Sequence, residues 1–178
     1  MHRLTEIKMD MLAAVRKLLN KRKVLGETVV LQRARADIEH RNASGKLLWK
    51  GHAHNLITNA GRDFLHQQGY AASGLGTVGL CYIALSNDTV GETAASTTLS
   101  TEITTNGLGR AVGTVAHTAG TNTSTISRTF TASGTQSAQK AALFTASSAG
   151  TMNHVLSFTQ RNLISGDTLA ITFTITLG

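Results

Sequence analysis

The sequence predicts a mainly β protein: an antiparallel β-sandwich or jelly-roll-like domain preceded by an N-terminal amphipathic helix and a β-hairpin arm. Short runs rich in alternating or β-branched residues follow one another from residue 80 to the end. Turn signals separate them, with glycines at 107, 120, 134, 150 and 166. The net charge of +7 lies wholly within residues 1–50, which hold 12 of the 17 Lys and Arg and five of the 10 acids. This asymmetry divides the chain into a basic helical arm (1–27), a β-hairpin extension (28–57) and a sandwich domain (58–178).

The arm is predicted to be helical over residues 4–24. Apolar residues recur there at spacings of three and four, which places them on one face: Leu4, Ile7, Met11, Ala14 or Val15, and Leu18. Acids lie early in this segment and bases lie late, as the helix dipole favours, and Gly26 is a stop signal. Because an isolated helix of this size is marginal in water, we expect its apolar stripe to pack on the β domain, a second copy or a partner.

A basic cluster ends this helix and has three possible interpretations. It is a solvated helix end, a docking site for an acidic protein surface, or a contact for nucleic acid or membrane. The last is the weakest, because no aromatic residue interleaves with the bases and no DNA-reading motif surrounds them. We therefore predict partner binding through the basic cluster and the apolar stripe, namely Arg16, Lys17, Lys21, Arg22, Lys23, Leu4, Ile7, Met11 and Leu18.

The hairpin is predicted from residues 29–41 and 46–57 around the turn signal Asn42-Ala43-Ser44-Gly45. Trp49 is expected to anchor it against the domain. His52 and His54 stand two apart and so share one face of a strand. They are two potential metal ligands without a visible third, which favours an exposed or interfacial pair over a metal site.

The domain is predicted to begin with a short helix over residues 60–68, capped by Thr58 or Asn59. Strand-like runs follow at 80–85, 109–116, 124–132, 138–146 and 152–160. The last strand is the clearest, because apolar residues at 169, 171, 173, 175 and 177 alternate with threonines and one alanine. This strand carries no charge, so it is expected to lie centrally in its sheet or to pair across a subunit interface.

The sequence predicts no catalytic residues, no cofactor and no metal. Residues 74–79 match G-x-G-x-x-G, but a helix-like segment precedes them and a strand follows, the reverse of the dinucleotide-binding arrangement. Cys81 is expected to be a buried, inert thiol. His117 and His154 lie in strand-like runs, and no G-x-S-x-G sequence accompanies the many serines.

Composition also restricts the partners. No run approaches the roughly 20 apolar residues that a membrane helix needs, and no secretory signal is recognisable, so no membrane partner is expected. Charged residues make up only 15% of the chain. Either much of the surface meets neighbouring subunits, or the domain is a neutral, threonine-coated sandwich.

Three segments resemble those of small structural proteins of tailed phages. Residues 54–65 (HNLITNAGRDFL) resemble their N-L-[IV]-x-N-x-G segment, which a strand such as 82–86 follows. Residues 141–146 (AALFTA) resemble their E-A-G-L-F-N-A segment, and residues 165–175 (SGDTLAITFTI) resemble their G-D-x-L-x-[IV]-x-[FW]-x-[IV] ending. The resemblance covers residues 54–178.

This resemblance implies a non-enzymatic virion protein made in the host cytoplasm. The leading expectation is a capsid decoration or cement protein that binds the major capsid protein or other virion subunits and self-associates, with a trimer favoured. The first alternative is a tail, collar or fibre-attachment subunit. The second is a carbohydrate-binding module with Tyr70, Tyr82 or Trp49 as sugar platforms, which an aromatic content of only 4% disfavours. Nucleic acid is not an expected partner.

Overall fold

The computed structural model describes residues 32–61, 79 and 81–177. The predicted helical arm, most of the predicted helix at 60–68 and the glycine-rich segment before Gly79 lie outside these residues. Within the described part, ten strands form two packed five-stranded antiparallel sheets, so the prediction of a β-sandwich is confirmed. No helix in this part is long and apolar enough to cross a membrane.

The strands divide between sheet A and sheet B. Sheet A has the order β2-β1-β10-β7-β6, and sheet B has the order β3-β9-β8-β4-β5. Their bounds are β1 Gln32–Arg41, β2 Leu47–His54, β3 Leu56–Ile57, β4 Tyr82–Ser86, β5 Ala111–Val112, β6 Thr114–His117, β7 Thr123–Thr131, β8 Gln136–Phe144, β9 Met152–Leu163 and β10 Thr168–Leu177.

The predicted hairpin is formed by β1 and β2, and it is an integral part of sheet A. The side chain of Asn42 accepts a hydrogen bond from the backbone N–H of Lys46 at 2.8 Å, and Gly45 takes the left-handed conformation that closes the turn. On its other side β1 pairs with β10 from Arg41↔Thr168 to Gln32↔Leu177. The hairpin therefore does not project from the domain, because Ala36 and Ile38 of β1 belong to the main core between the sheets.

Strand β10 is the third of the five strands of sheet A, as its lack of charge predicts. Leu169, Ile171 and Phe173 are completely buried, whereas Ala170 and Thr172 between them are half-buried on the opposite face. The position of such a strand can be predicted from sequence, because successive side chains point to opposite faces and the apolar ones mark the face that packs on the core.

Sheet B is buried on both faces over part of its area. The residues of its inner face join the main core between the sheets, including Ile83, Leu85 and Leu143. On its outer face Leu99, from the segment between β4 and β5, packs with Ala84, Phe144 and other residues in a second cluster. Strands β4 and β8 consequently show nearly continuous burial in place of alternation.

The chain crosses from sheet B to sheet A at Gly113. The predicted single strand at 109–116 is thereby split into β5 and β6. A Cβ atom at Gly113 would lie 2.9 Å from Cγ2 of Ile126 and 3.0 Å from the carbonyl oxygen of Ser127, so only glycine fits this crossing. The N–H of Gly113 donates to the carbonyl oxygen of Cys81 at 2.6 Å.

The side chain of Cys81 is partly exposed, so its predicted burial is wrong.

Thr58 caps the helical residues 59–61. Its hydroxyl accepts a hydrogen bond from the N–H of Gly61 at 2.9 Å and donates to the carbonyl oxygen of Met152. Of the two predicted capping residues, Thr58 therefore takes the role. Gly61 is required here, because a Cβ atom would lie 2.6 Å from the carbonyl oxygen of Asn153.

Candidate functional site

The predicted partner-binding residues all precede residue 32. The basic cluster and the apolar stripe of the arm therefore lie outside the described residues, and their role stays a prediction.

The outward side of β10 and β7 forms a broad uncharged surface, which we call the hydroxyl face. Apart from Ala170, every outward side chain of these two strands is threonine or serine. Cross-strand pairs place the hydroxyls side by side, as in Thr172↔Ser127 and Thr174↔Thr125. A shallow hollow of about 340 Å³ lies at its centre, bordered by Thr129 and Thr172 among others, and Arg128 is the one charged residue that lines it. The members of the hydroxyl face are Thr123, Thr125, Ser127, Thr129, Thr131, Thr168, Thr172, Thr174 and Thr176.

The same side of sheet A becomes charged where β1 and β2 lie. Glu39 accepts from Arg41 at 3.1 Å and pairs with Lys50 at 3.0 Å, and the hydrogen bonds from Lys50 and then Arg41 lower the pKa of its carboxyl. These pairs are exposed and therefore contribute little to stability.

His52 and His54 lie exposed beside these pairs, on one face of β2. Their rings meet edge to face with centroids 6.1 Å apart, so the predicted sharing of a face is confirmed. Among the described residues, no group of three or more His, Cys, Asp and Glu side chains is placed to hold a metal ion.

A buried histidine meets a carboxylate at a position that the sequence does not single out. Nε2 of His40 lies 3.1 Å from Oδ2 of Asp167, which also accepts from the N–H of Ile164 at 3.2 Å. Both side chains are at most 5% exposed. The contact joins β1 to the turn between β9 and β10 and so holds that turn in place.

The two histidines that the sequence does single out lie elsewhere. His154 is fully buried, and within the described part of the chain neither ring nitrogen has a hydrogen-bond partner. Burial lowers its pKa to about 4, so the ring is neutral at pH 7. His117 is exposed at the end of β6, with Nδ1 2.9 Å from the carbonyl oxygen of Thr123.

Arg110 holds two loops together. Its guanidinium pairs with Glu102, with Nε 2.9 Å from Oε1, and donates to the carbonyl oxygens of Ala146 and Ala149 at 3.1 and 2.7 Å. It also lies 3.5 Å from the ring centroid of Phe144, a cation–π contact. The Arg110 side chain is only 9% exposed. These contacts join the segment before β5 to the loop between β8 and β9.

Lys140 forms the third buried ionic cluster. Its side chain is 1% exposed, and Nζ lies 3.3 Å from Oδ2 of Asp88 and 3.1 Å from Oε1 of Glu92. Nζ also donates to the carbonyl oxygen of Val90. A hydrogen bond from the N–H of Val90, followed by the contact with Lys140, holds the pKa of Asp88 below its ordinary value. The cluster pins the loop after β4 onto the outer face of sheet B.

The carboxylates of these three clusters share one arrangement: each is paired with a cationic or imidazole side chain from another part of the chain. Asp167 meets His40, Glu102 meets Arg110, and Asp88 and Glu92 meet Lys140. The hollow on the hydroxyl face and a second one of about 310 Å³ beside His54 both lie on the outside of sheet A, and none of these paired carboxylates lines either.

Two of the proposed sugar platforms are packed against neighbours. Trp49 lies beside Phe158, with ring centroids 6.5 Å apart, and the guanidinium of Arg161 stands 4.9 Å from its ring centroid. Trp49 therefore anchors β2 against β9, as predicted from its place in the hairpin. Tyr82 packs on the outer cluster of sheet B, and Tyr70 lies outside the described residues.

Comparison with protein-family models, with curated proteins and with solved structures finds no match for this chain.

Proposed function

We propose that this chain is a non-enzymatic structural protein of a tailed-phage particle, and that it acts as a decoration or cement protein on the assembled head. The observation that carries the proposal is the hydroxyl face, a broad uncharged surface on the sandwich. Removing water from threonine and serine side chains costs much less free energy than removing it from charged ones. Another protein can therefore cover such a surface without leaving charged groups buried and unpaired. The resemblance of residues 54–178 to phage structural proteins supports the same function.

The charge distribution supports two separate binding surfaces in this chain, one in the basic arm and one on the sandwich. The excess of +7 lies in residues 1–50, and residues 51–178 carry equal numbers of acids and bases. In this proposal the arm reaches an acidic surface of a neighbouring subunit, while the hydroxyl face covers a neutral one. The major capsid protein is the partner that the proposal names.

A cement protein stabilises a shell because it binds the assembled state and not the separate subunits. At a free concentration of 100 times Kd, such binding adds about 2.7 kcal/mol per site by mass action. Self-association as a closed trimer would present several hydroxyl faces at once and would hide uncharged edges.

The copy number of the protein per particle tests the location. A cement protein is present in a fixed number per capsomer, and its deletion lowers the temperature at which particles release their DNA. A count of only a few copies per particle would replace the head assignment with a tail, collar or fibre-attachment role.

The hydroxyl face can be tested directly with charged substitutions. The double variant Thr129→Arg/Thr172→Arg places two cations at its centre, and we expect it to stop co-sedimenting with particles while its thermal unfolding stays unchanged. The matched control is Thr159→Arg, an exposed position on β9 in sheet B, which should still bind. Full binding by the double variant would remove the hydroxyl face from the proposal.

A further inference from the structure

Lys140 occupies an environment that suits covalent chemistry. Its side chain is 1% exposed, and its Nζ atom is in contact with two carboxylates of one loop. The ammonium of Lys140 has lost nearly all of its hydration, and such a charge is costly unless it is compensated by partners as close as these two carboxylates. Joining one such pair as a neutral amide removes both charges from the interior.

The two carboxylates differ in how they are held. Oδ1 of Asp88 accepts the N–H of Val90 at 3.0 Å, and Oδ2 faces Nζ of Lys140 at 3.3 Å. The backbone donor on Oδ1 stabilises negative charge that develops on that oxygen when an amine attacks the carboxyl carbon, as in an oxyanion hole. Oε1 of Glu92 accepts a hydrogen bond from the same Nζ at 3.1 Å, which places Glu92 to take a proton from the amine.

We propose that Lys140 and Asp88 form an intramolecular isopeptide bond, with Glu92 as the proton carrier. Glu92 takes a proton from the Lys140 ammonium, and the neutral Nζ attacks Cγ of Asp88. The N–C bond forms and the C–Oδ2 bond breaks. Of the three ammonium protons, one stays on the amide nitrogen and two leave with Oδ2 as water. The positive and negative charges cancel, Glu92 returns to its starting state, and no other reactant is needed.

Proximity lowers the barrier that the same condensation faces in free solution. Groups held in reactive contact react as if one partner were present at an effective molarity on the order of 10⁵ M or more. The burial of Lys140 also opposes the reverse hydrolysis, because a water molecule must reach the bond. Since 52 residues separate the two partners, the bond would close a large loop and tie the segment after β4 to the middle of β8. This inference does not depend on the proposed function.

The intact mass of the purified full-length chain under denaturing conditions tests the proposal. We expect a mass lower than that of the sequence by one water molecule. After trypsin digestion, residues 63–110 should be joined to residues 129–161 in one branched peptide, because an acylated Lys140 is not cleaved. Tandem mass spectrometry should place the branch on Asp88.

Three variants sharpen the test. Lys140→Met and Asp88→Ala should restore the full sequence mass, and Glu92→Gln should do so in most molecules because it keeps the shape of the side chain but removes the proton carrier. The matched control is Lys50→Met, since Lys50 Nζ also lies 3.0 Å from a carboxylate but its side chain is 60% exposed. This variant should keep the loss of water. A full sequence mass for the unmodified chain, or a branch on Glu92, overturns the proposal, and a fully bonded Glu92→Gln overturns the role of Glu92.

Discussion

Nε2 of His40 lies 3.1 Å from Oδ2 of Asp167, although 127 residues separate the two in sequence. His40 is near the end of β1, and Asp167 closes the turn that leads into β10. The contact becomes possible because β1 and β10 pair along their whole length. The strand that begins the described domain is thus fastened to the strand that ends it.

This contact predicts a large effect of Asp167→Ala. The substitution leaves the His40 ring buried without a partner and removes an acceptor from the N–H of Ile164. We expect a loss of about 2–3 kcal/mol in the free energy of unfolding, measured by urea titration at unchanged m-value. Asp37→Ala is the control, because Asp37 pairs with Arg35 in an exposed position and should cost less than about 1 kcal/mol. Equal losses in the two variants would show that the buried contact contributes no more than the exposed pair.

His154 predicts a pH dependence of stability with a definite sign. Its pKa falls from 6.5 to about 4 on folding because burial disfavours the charged ring. Between these two pH values the unfolded chain binds more protons than the folded chain. The contribution of the neutral His154 ring to the free energy of unfolding is therefore fully present above pH 6.5 and declines as the pH falls toward 4. A difference of this size corresponds to about 3 kcal/mol.

The variant His154→Leu isolates this contribution. Denaturant unfolding followed from pH 7 to pH 4 should show a flatter decline for His154→Leu than for the unmodified chain. His117→Leu should leave the slope unchanged, because His117 is exposed. Parallel curves for His154→Leu and the unmodified chain would contradict the prediction.

Strand β10 offers a paired test of the two faces of sheet A. Phe173→Ala opens a cavity in the main core and should cost about 3–5 kcal/mol in the free energy of unfolding. Thr172→Ala, one residue away on the hydroxyl face, should change it by less than about 0.5 kcal/mol. Chemical denaturation of both variants measures the difference, and a comparable loss for Thr172→Ala would mean that the hydroxyl face is needed for folding itself.

The sequence predicts those strands in which the alternation of apolar and polar residues matches the burial of one face in the folded domain. The period of two in β10 reports directly on a strand with one face in the core, and the runs that become β7 and β9 are likewise placed within a few residues. The break at Gly113 is missed, because the steric reason for it comes from Ile126 on another strand.

The buried ionic clusters are beyond sequence reasoning for the same physical reason. Lys140 is separated from Asp88 by 52 residues and from Glu92 by 48, and neither spacing has a period that would bring the side chains together. His40 and Asp167 are joined only through the register of β1 on β10. What the sequence does show is that Asp88 and Asp167 lie in the turn signals Asn87-Asp88 and Ser165-Gly166-Asp167, which accounts for their places in loops but not for their partners.

The arm gives the last prediction, which addresses attachment. Because residues 1–25 hold seven of the 17 Lys and Arg together with the predicted apolar stripe, we expect the chain lacking them to fold into the sandwich and to fail to join particles. Circular dichroism and thermal unfolding measure the first outcome, and co-sedimentation with particles measures the second.

A variant that keeps the full length separates the effect of the charge from that of the apolar stripe. In it, glutamine replaces Arg16, Lys17, Lys21, Arg22 and Lys23. If charge steers the arm onto an acidic surface, this variant should bind weakly, and binding by the unmodified chain should fall as salt is raised. Normal incorporation of the truncated chain would remove the docking role of the arm and leave attachment to the hydroxyl face.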